Sequence, residues 1–453
     1  MRKVIAALLL TALALAPLAA QPKVSEKQEV AIFAMGYYGW NIPREALGSI
    51  DLEIQKVFLD LGRFTVMGYT QRFTSTDVQS FVDILKKAKE TNFVLPEKYQ
   101  FGEAFLTAAE FEKLLGAFQV AIPVVVSFDS QYDSKDNRWE TNIKTSISFV
   151  DAGTGTLTGI ADVQTSGTDK SSQLASIQSA IGSIPMELQY KIRSIPAFTL
   201  NTRVLAASGK EIKLQLGTNM GIKKGDEYSI IVASQVAGFQ DEREQGLVLI
   251  KDVGPEVSTG LVLYSSAKPG PDTQLREIPR RGVDAAPYIH FAQGSLLRVI
   301  GDPVQPESEA EGSNILLGLR MPLSRGFFDV RPYAAIQVPV NGIRSILSFV
   351  FVPVNVLLGA EYNLYLGRLA VTPYAGIGTS FVYITEAFSG STYDTSDMLF
   401  PHFGAQAYLN VSYLFNRNTK LFVEAGFEYW LALTSLYSNY GGVSFGGGVS
   451  WKL

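Results

Sequence analysis

Gly442-Val443-Ser444-Phe445-Gly446 reads G-x-S-x-G, a pattern that presents a serine as a nucleophile. A serine attacks an acyl carbon only when a base takes its proton, so the motif needs partners. In a period-two reading, His402, Glu428 and Ser444 fall on three successive strands, point to the same side and lie near the same rim. Joined by geometry, that trio would make a barrel-embedded acyl hydrolase or acyltransferase. The motif, however, carries meaning on a strand-to-helix elbow, and here it sits inside a terminal strand. A chance match on a polar strand face is the plainer reading.

A second set of residues could do electrostatic work. Arg320, Asp329, Arg331, Glu361, Glu424 and Glu428 share the inward side of alternating runs, with both signs present. They predict a paired polar core and no wide pore, since a narrow barrel is filled by its side chains. Simple solvation of a water-filled lumen is the competing reading, and only ion conduction separates the two.

The elements that must position these residues are eight strand-like runs, at about 288–299, 313–322, 327–340, 348–364, 368–383, 399–415, 420–433 and 442–453. Leu421, Val423, Ala425, Phe427, Tyr429 and Leu431 oppose Glu424, Gly426 and Glu428; Phe403 to Tyr413 opposes His402, Gln406, Asn410 and Ser412 in the same way. Apolar out and polar in predicts an eight-stranded antiparallel transmembrane β-barrel, whereas a soluble lipocalin-type barrel needs the opposite. Connections alternate long and short, so the long ones, including Glu307–Glu311 and Thr392–Asp397, are expected outside the cell. The near-repeat Val330–Ile336 and Val371–Ile377 places prolines at 332 and 373, a departure for central strands.

Residues 1–20 carry Arg2 and Lys3 before an apolar run from Val4 to Leu18, as a cleavable secretory signal does. No later run is long enough for a membrane helix, so any span has to be built from strands. The chain of 453 residues has no cysteine, which removes disulfides, thiol chemistry and a lipidated anchor. His290 and His402 are the only imidazoles, so neither a metal nor another cofactor is expected. A net charge of −4 without a basic block argues against nucleic acid.

Residues 21–198 alternate strand and helix patterns and predict an α/β layer: a strand at 29–36, a helix through Ile50–Leu61, a strand at 63–69 and a helix through Val78–Leu85. Thr107 with Glu110 forms a capping-box pattern before a third helix. Strands follow at 120–128, 139–150 and 156–163, and one helix from Leu174 to Ile192 closes the unit. Gly153, Gly155 and Gly159 serve a hairpin rather than a phosphate loop, since no Gly-Lys-Ser/Thr follows. Residues 199–265 read as a small all-β module, and the Pro- and Arg-containing stretch 266–287 as a linker to a barrel at 288–453.

Gly448, Trp451 and Leu453 stand in a spacing that resembles the C-terminal signal of bacterial outer-membrane barrels of the OmpA, OmpX and OmpW kind. The resemblance implies outer-membrane lipid and the barrel-assembly machinery as partners. The order of "EVAIFAM", "GRFTVMGYT", "AIPVVVSF" and "SISFVDAGTGTLTG" resembles the N-terminal domain of periplasmic proteins related to TolB and CsgG. "GKEIKLQLGTNMGIKKGDEYSIIV" resembles the C-terminal domain of the flagellar assembly protein T. These likenesses imply a multidomain α+β protein with periplasmic domains, a non-enzymatic scaffold or assembly role, and envelope-protein partners of unknown identity. Transport of hydrophobic molecules and surface adhesion are the alternative roles.

Overall fold

The computed structural model describes residues 24–37, 42–73, 77–88, 98–101, 104–236, 239–298, 311–346, 349–386, 401–435 and 437–453. The signal expected at 1–20, the loop stretch 392–397 and residues 307–310 lie outside the described residues. No helix among the described residues is long and apolar enough to cross a membrane, which says nothing about strands.

The N-terminal part is one five-stranded sheet. Strand β1 (Gln28–Ala34) pairs in parallel with β2 (Phe64–Arg72) and with β5 (Gln119–Asp133), and β6 (Arg138–Asp151) and β7 (Leu157–Asp169) extend it antiparallel, in the order β2-β1-β5-β6-β7. Val30 to Ala34 are all buried, because helices cover both faces. On one face α1 (Arg44–Asp60), α4 (Gln173–Gly182) and α5 (Ile184–Ser194) bring Ile54, Phe58, Ile177 and Leu188 onto Ile147 and Phe149. On the other, α2 (Asp77–Lys87) and α3 (Ala108–Leu115) bring Phe81, Leu85, Phe111 and Leu114 onto Phe33 and Ile122. A short hairpin, β3 (Lys98–Phe101) with β4 (Ala104–Thr107), leads into α3, whose capping box forms as its sequence predicts. The single helix expected over 174–192 is instead two. Pro185 lies in the first turn of α5, where its missing N–H costs nothing, and the break falls at Ser183.

The middle of the chain closes into a six-stranded barrel, in the order β10-β11-β12-β9-β8-β13. Its strands are β8 (Asn201–Ser208), β9 (Glu211–Leu214), β10 (Glu227–Val236), β11 (Phe239–Val253), β12 (Ser258–Ser265) and β13 (Gln274–Ile278). Leu214, Tyr228, Ile230, Val248, Ile250 and Leu275 fill it. The stretch 266–287 is therefore not a linker. Leu275 is buried while β13 bonds β10 on one side and β8 on the other, a pairing hidden by the flanking prolines.

The last part is an antiparallel barrel of eight strands: β14 (Asp284–Ser295), β15 (Glu311–Pro322), β16 (Val330–Pro339), β18 (Phe349–Tyr362), β20 (Leu369–Glu386), β21 (His402–Leu414), β22 (Thr419–Ala432) and β23 (Tyr440–Lys452). Short strands β17 (Arg344–Ile346) and β19 (Leu364–Leu366) pair beside β18 and β20. Pairing of β14 with β23 closes the barrel, so it has no free edge. Pro332 and Pro373 stay inside β16 and β20, opposite Ala360 and Leu409. The burial pattern along β21 alternates strictly, with Phe403, Leu409, Val411 and Tyr413 outside and His402, Gln406, Asn410 and Ser412 inside.

An outward apolar row needs a hydrocarbon solvent. Ala425 sits at the middle of β22 on that row, registered against Leu409 and Phe445. Ala425→Arg is expected to destabilise the barrel by about 2–4 kcal/mol in lipid, read as the urea midpoint of folding into vesicles. An unchanged midpoint would show that this face meets water.

Candidate functional site

Two sites emerge: the lumen of the eight-stranded barrel, and the junction where that barrel meets the rest of the chain.

In the lumen Glu424 is the hub. Its Oε1 meets His290 Nε2 at 2.7 Å, while Oε2 accepts from Asn410 at 2.7 Å and from both terminal nitrogens of Arg320 at 3.3 Å. The Arg320 guanidinium lies 4.0 Å over the Tyr374 ring, and Tyr374, Tyr408 and His290 continue as a stack at 5.2 and 4.5 Å. Arg331 reaches Asp284 at 3.5 Å and donates to the Tyr365 hydroxyl at 2.6 Å. Glu361 accepts from Asn363 at 3.1 Å. Aromatic rings and paired ions fill the bore, and the cavity lined by Asp284, Arg320, Glu361 and Lys420 holds about 30 Å³, room for a water and no more.

Of the residues singled out from sequence, Arg320, Arg331, Glu361, Glu424 and Glu428 are all buried inside the barrel. Asp329 is not. It is exposed, one residue before β16 in the turn from β15, so the alternation that points Arg331 inward has not yet begun. Its place beside Arg331 is taken by Asp284, from the first residue of β14. The sequence reading missed Asp284, His290 and Lys420. Extending the alternation of Tyr288 and Ala292 along β14 would have found the first two.

The trio His402, Glu428 and Ser444 does not assemble. All three are inside, but Glu428 lies opposite Gln406, four residues along β21 from His402, or roughly 13 Å of extended chain. His402 is otherwise engaged. Its Nε2 donates to the Ser438 carbonyl at 3.1 Å, which leaves Nδ1 to accept from the Ser380 hydroxyl at 3.0 Å. Glu428 accepts from Gln337 at 3.1 Å, and Ser444 Oγ has no hydrogen-bond partner among the described residues. Gly448, Trp451 and Leu453 divide by side. A Cβ at Gly448 would stand 2.1 Å from the Pro287 carbonyl oxygen across the seam with β14, while Trp451 and Leu453 are exposed on the outer surface.

The junction is built from ions that lie far apart in the chain. Glu277 on β13 accepts from Arg63 at 2.8 and 3.1 Å, from Arg193 on α5 at 2.7 Å and from the Leu200 amide at 3.0 Å. Arg193 also reaches Asp226 at 3.2 Å, which in turn accepts from Arg325 at 2.8 Å. Arg325 belongs to the β15–β16 turn, so one chain of contacts joins the sheet, the six-stranded barrel and the eight-stranded barrel. Glu227, fully buried, bonds Lys452 of β23 and accepts from Arg280 at 3.0 Å. Backbones meet as closely as side chains. Gly62 and Gly221 abut with φ of +68° and +72°, and a Cβ on Gly221 would stand 1.9 Å from the Leu61 carbonyl oxygen.

Four arginines sit at the rim where the chain enters the barrel and its strands turn: Arg281, Arg325, Arg368 and Arg417. Each reaches the other parts. Arg281 pairs with Glu187 at 3.0 Å and Arg325 with Asp226; Arg368 lies 3.7 Å over the Tyr264 ring, and Arg417 pairs with Glu244 at 2.5 Å. Leu247, Leu249, Leu263 and Ile278 of the six-stranded barrel pack on Phe328 and Leu414 of the rim and cap the mouth.

Burial alone pushes Glu277 up, but Arg63 and then Arg193 outweigh it and hold its carboxyl well below the usual carboxylate range. The folded value is depressed, so its stabilisation is present above the unfolded value of roughly 4.3 and is lost as pH falls through the folded one. Acid from about pH 5 downward is therefore expected to open the junction progressively, read as new protease cleavage around 196–200. Cleavage independent of pH down to about 3 would contradict this.

Apolar outside, polar and filled inside, closed between first and last strands: this is a transmembrane β-barrel of the outer-membrane type. No family model matches the chain, and no curated protein matches it. Among solved structures it is similar to Neisserial surface protein A, at 15% identity over 38% of this chain and 97% of that one, with a TM-score of 0.27. It is also similar to the outer membrane protein OprG from Pseudomonas aeruginosa, at 11% identity, 38% and 95% coverage and a TM-score of 0.22. PelC from Paraburkholderia phytofirmans, solved as a dodecamer, is similar at 14% identity, 38% and 94% coverage and a TM-score of 0.23.

Proposed function

We propose that this chain is a non-enzymatic outer-membrane anchor: the barrel fixes two periplasmic domains, residues 21–198 and 199–278, to the inner surface of the outer membrane, where they dock an envelope or secretion assembly. The rim carries the reading. All four rim arginines contact the body beneath, Arg325 through a largely buried ion pair, and the six-stranded barrel caps the mouth with apolar side chains. A transporter needs an open bore or a side opening, and the filled lumen speaks against it. The adhesin reading rests on loops outside the described residues.

Heat-modifiability of the membrane fraction, with protease shaving of intact cells, tests the anchor. A compact band that shifts on boiling, with cleavage confined to the long loops, is the expected result. Recovery of the whole chain in the soluble periplasmic fraction would overturn it. Crosslinking from the sheet, followed by identification of the captured envelope proteins, then tests the docking role; capture of lipid and barrel-assembly components alone would leave the barrel without a load to hold.

A further inference from the structure

Beside α5 the junction opens into a groove of about 620 Å³, lined by Tyr190, Thr199, Arg276, Arg280, Arg417 and Asn418 among others. Its position is fixed by the last two. Arg417 and Asn418 form the turn between β21 and β22, directly beyond Tyr413 and the exposed Phe415, where the outward apolar row ends. A groove bounded by that turn opens at the level of lipid headgroups.

The charges around it fall into two kinds. Glu227 and Glu277 are buried and each is already held by two cations, Lys452 with Arg280 and Arg63 with Arg193. Arg276 and Arg417 instead face Glu242 and Glu244, in pairs open to solvent at both ends. Exposed pairs of this kind are weak, whereas a guanidinium grips a phosphate with two parallel hydrogen bonds. Thr199 and Asn418 add uncharged polar groups along the same wall.

We propose that this groove binds the phosphate of an inner-leaflet phospholipid headgroup, with Arg276 and Arg417 exchanging their surface carboxylates for it and Arg280 supplying the fixed positive charge at the back. The inference rests on the membrane reading above. It assigns to the junction a ligand class, an anionic phosphate ester, in addition to its structural role.

The test uses the full chain in nanodiscs of phosphatidylcholine, with and without phosphatidylglycerol, and native mass spectrometry to count retained lipid. The native protein is expected to retain phosphatidylglycerol in preference to phosphatidylcholine. Arg276→Gln with Arg417→Gln is expected to weaken retention about tenfold, the loss of one or two charge-assisted bonds. Glu242→Gln with Glu244→Gln frees both arginines and is expected to strengthen it, an outcome that a misfolded variant could not give. Equal retention in all three proteins, or no preference between the lipids, overturns the proposal. Inorganic phosphate as competitor identifies the source: displacement of the lipid by millimolar phosphate assigns the site to the phosphate itself, and its failure assigns it to the whole headgroup. The same samples are run for the heat shift. A shift without lipid preference sinks the groove alone; no shift sinks the membrane reading.

Discussion

Glu277→Ala is expected to cost about 3–5 kcal/mol, the penalty for stranding a buried charge. Two guanidiniums, not one, lose a carboxylate partner. Arg63 keeps only the Phe198 carbonyl at 2.9 Å, and Arg193 keeps Asp226 and the Arg280 carbonyl at 3.1 Å. The loss is local to the junction, so the variant should still show the heat shift of a closed barrel while proteases cut between the sheet and the six-stranded barrel. Glu277→Gln preserves shape and removes charge, and should fall between native and alanine. A Glu277→Ala protein as resistant to protease and heat as the native one would show that the ions are not what holds the parts together.

The second large effect lies in the lumen. Glu424→Ala removes the acceptor of Arg320, His290 and Asn410 at once and is expected to destabilise the barrel by about 3–5 kcal/mol, read as a lower temperature for the gel shift and an earlier urea midpoint. The double variant Arg320→Met, Glu424→Leu is expected to recover most of that loss, because two apolar side chains of similar volume leave no charge unpaired. The double-mutant cycle separates coupling from packing. If the double variant is as unstable as Glu424→Ala, then the aromatic stack around Tyr374, and not the ion pair, sets the stability of the bore.

The barrel was legible because its signal repeats. Period-two alternation over eight runs places the outer rows of β21 and β22 residue by residue, and five of the six charged lumen positions follow from that parity. Asp329 failed for a physical reason: parity says where a side chain points only while the strand lasts, and the strand begins one residue later. The split at Ser183 was visible in Pro185 but was outweighed by the apolar spacing on either side. The junction was not legible at all. Arg63, Arg193, Asp226 and Glu277 belong to different periodic segments, each of which reads correctly without them. Nothing in local sequence says that an arginine in the last turn of a helix will meet a glutamate in a short strand 84 residues later. The G-x-S-x-G match is the opposite case, a local pattern with no chemistry behind it, since strand register, rather than spacing along the chain, decides which inward residues meet.

The rim has a mechanical meaning: the buried Arg325–Asp226 pair, Arg368 over the Tyr264 ring and the apolar cap on Phe328 and Leu414 hold it at separate points. One tether leaves a body free to swivel, and two leave it a hinge axis; contacts spread around a ring remove both freedoms. A load applied to the sheet would then be delivered to the bilayer as a tilt of the whole barrel, with no slack segment between them to absorb it.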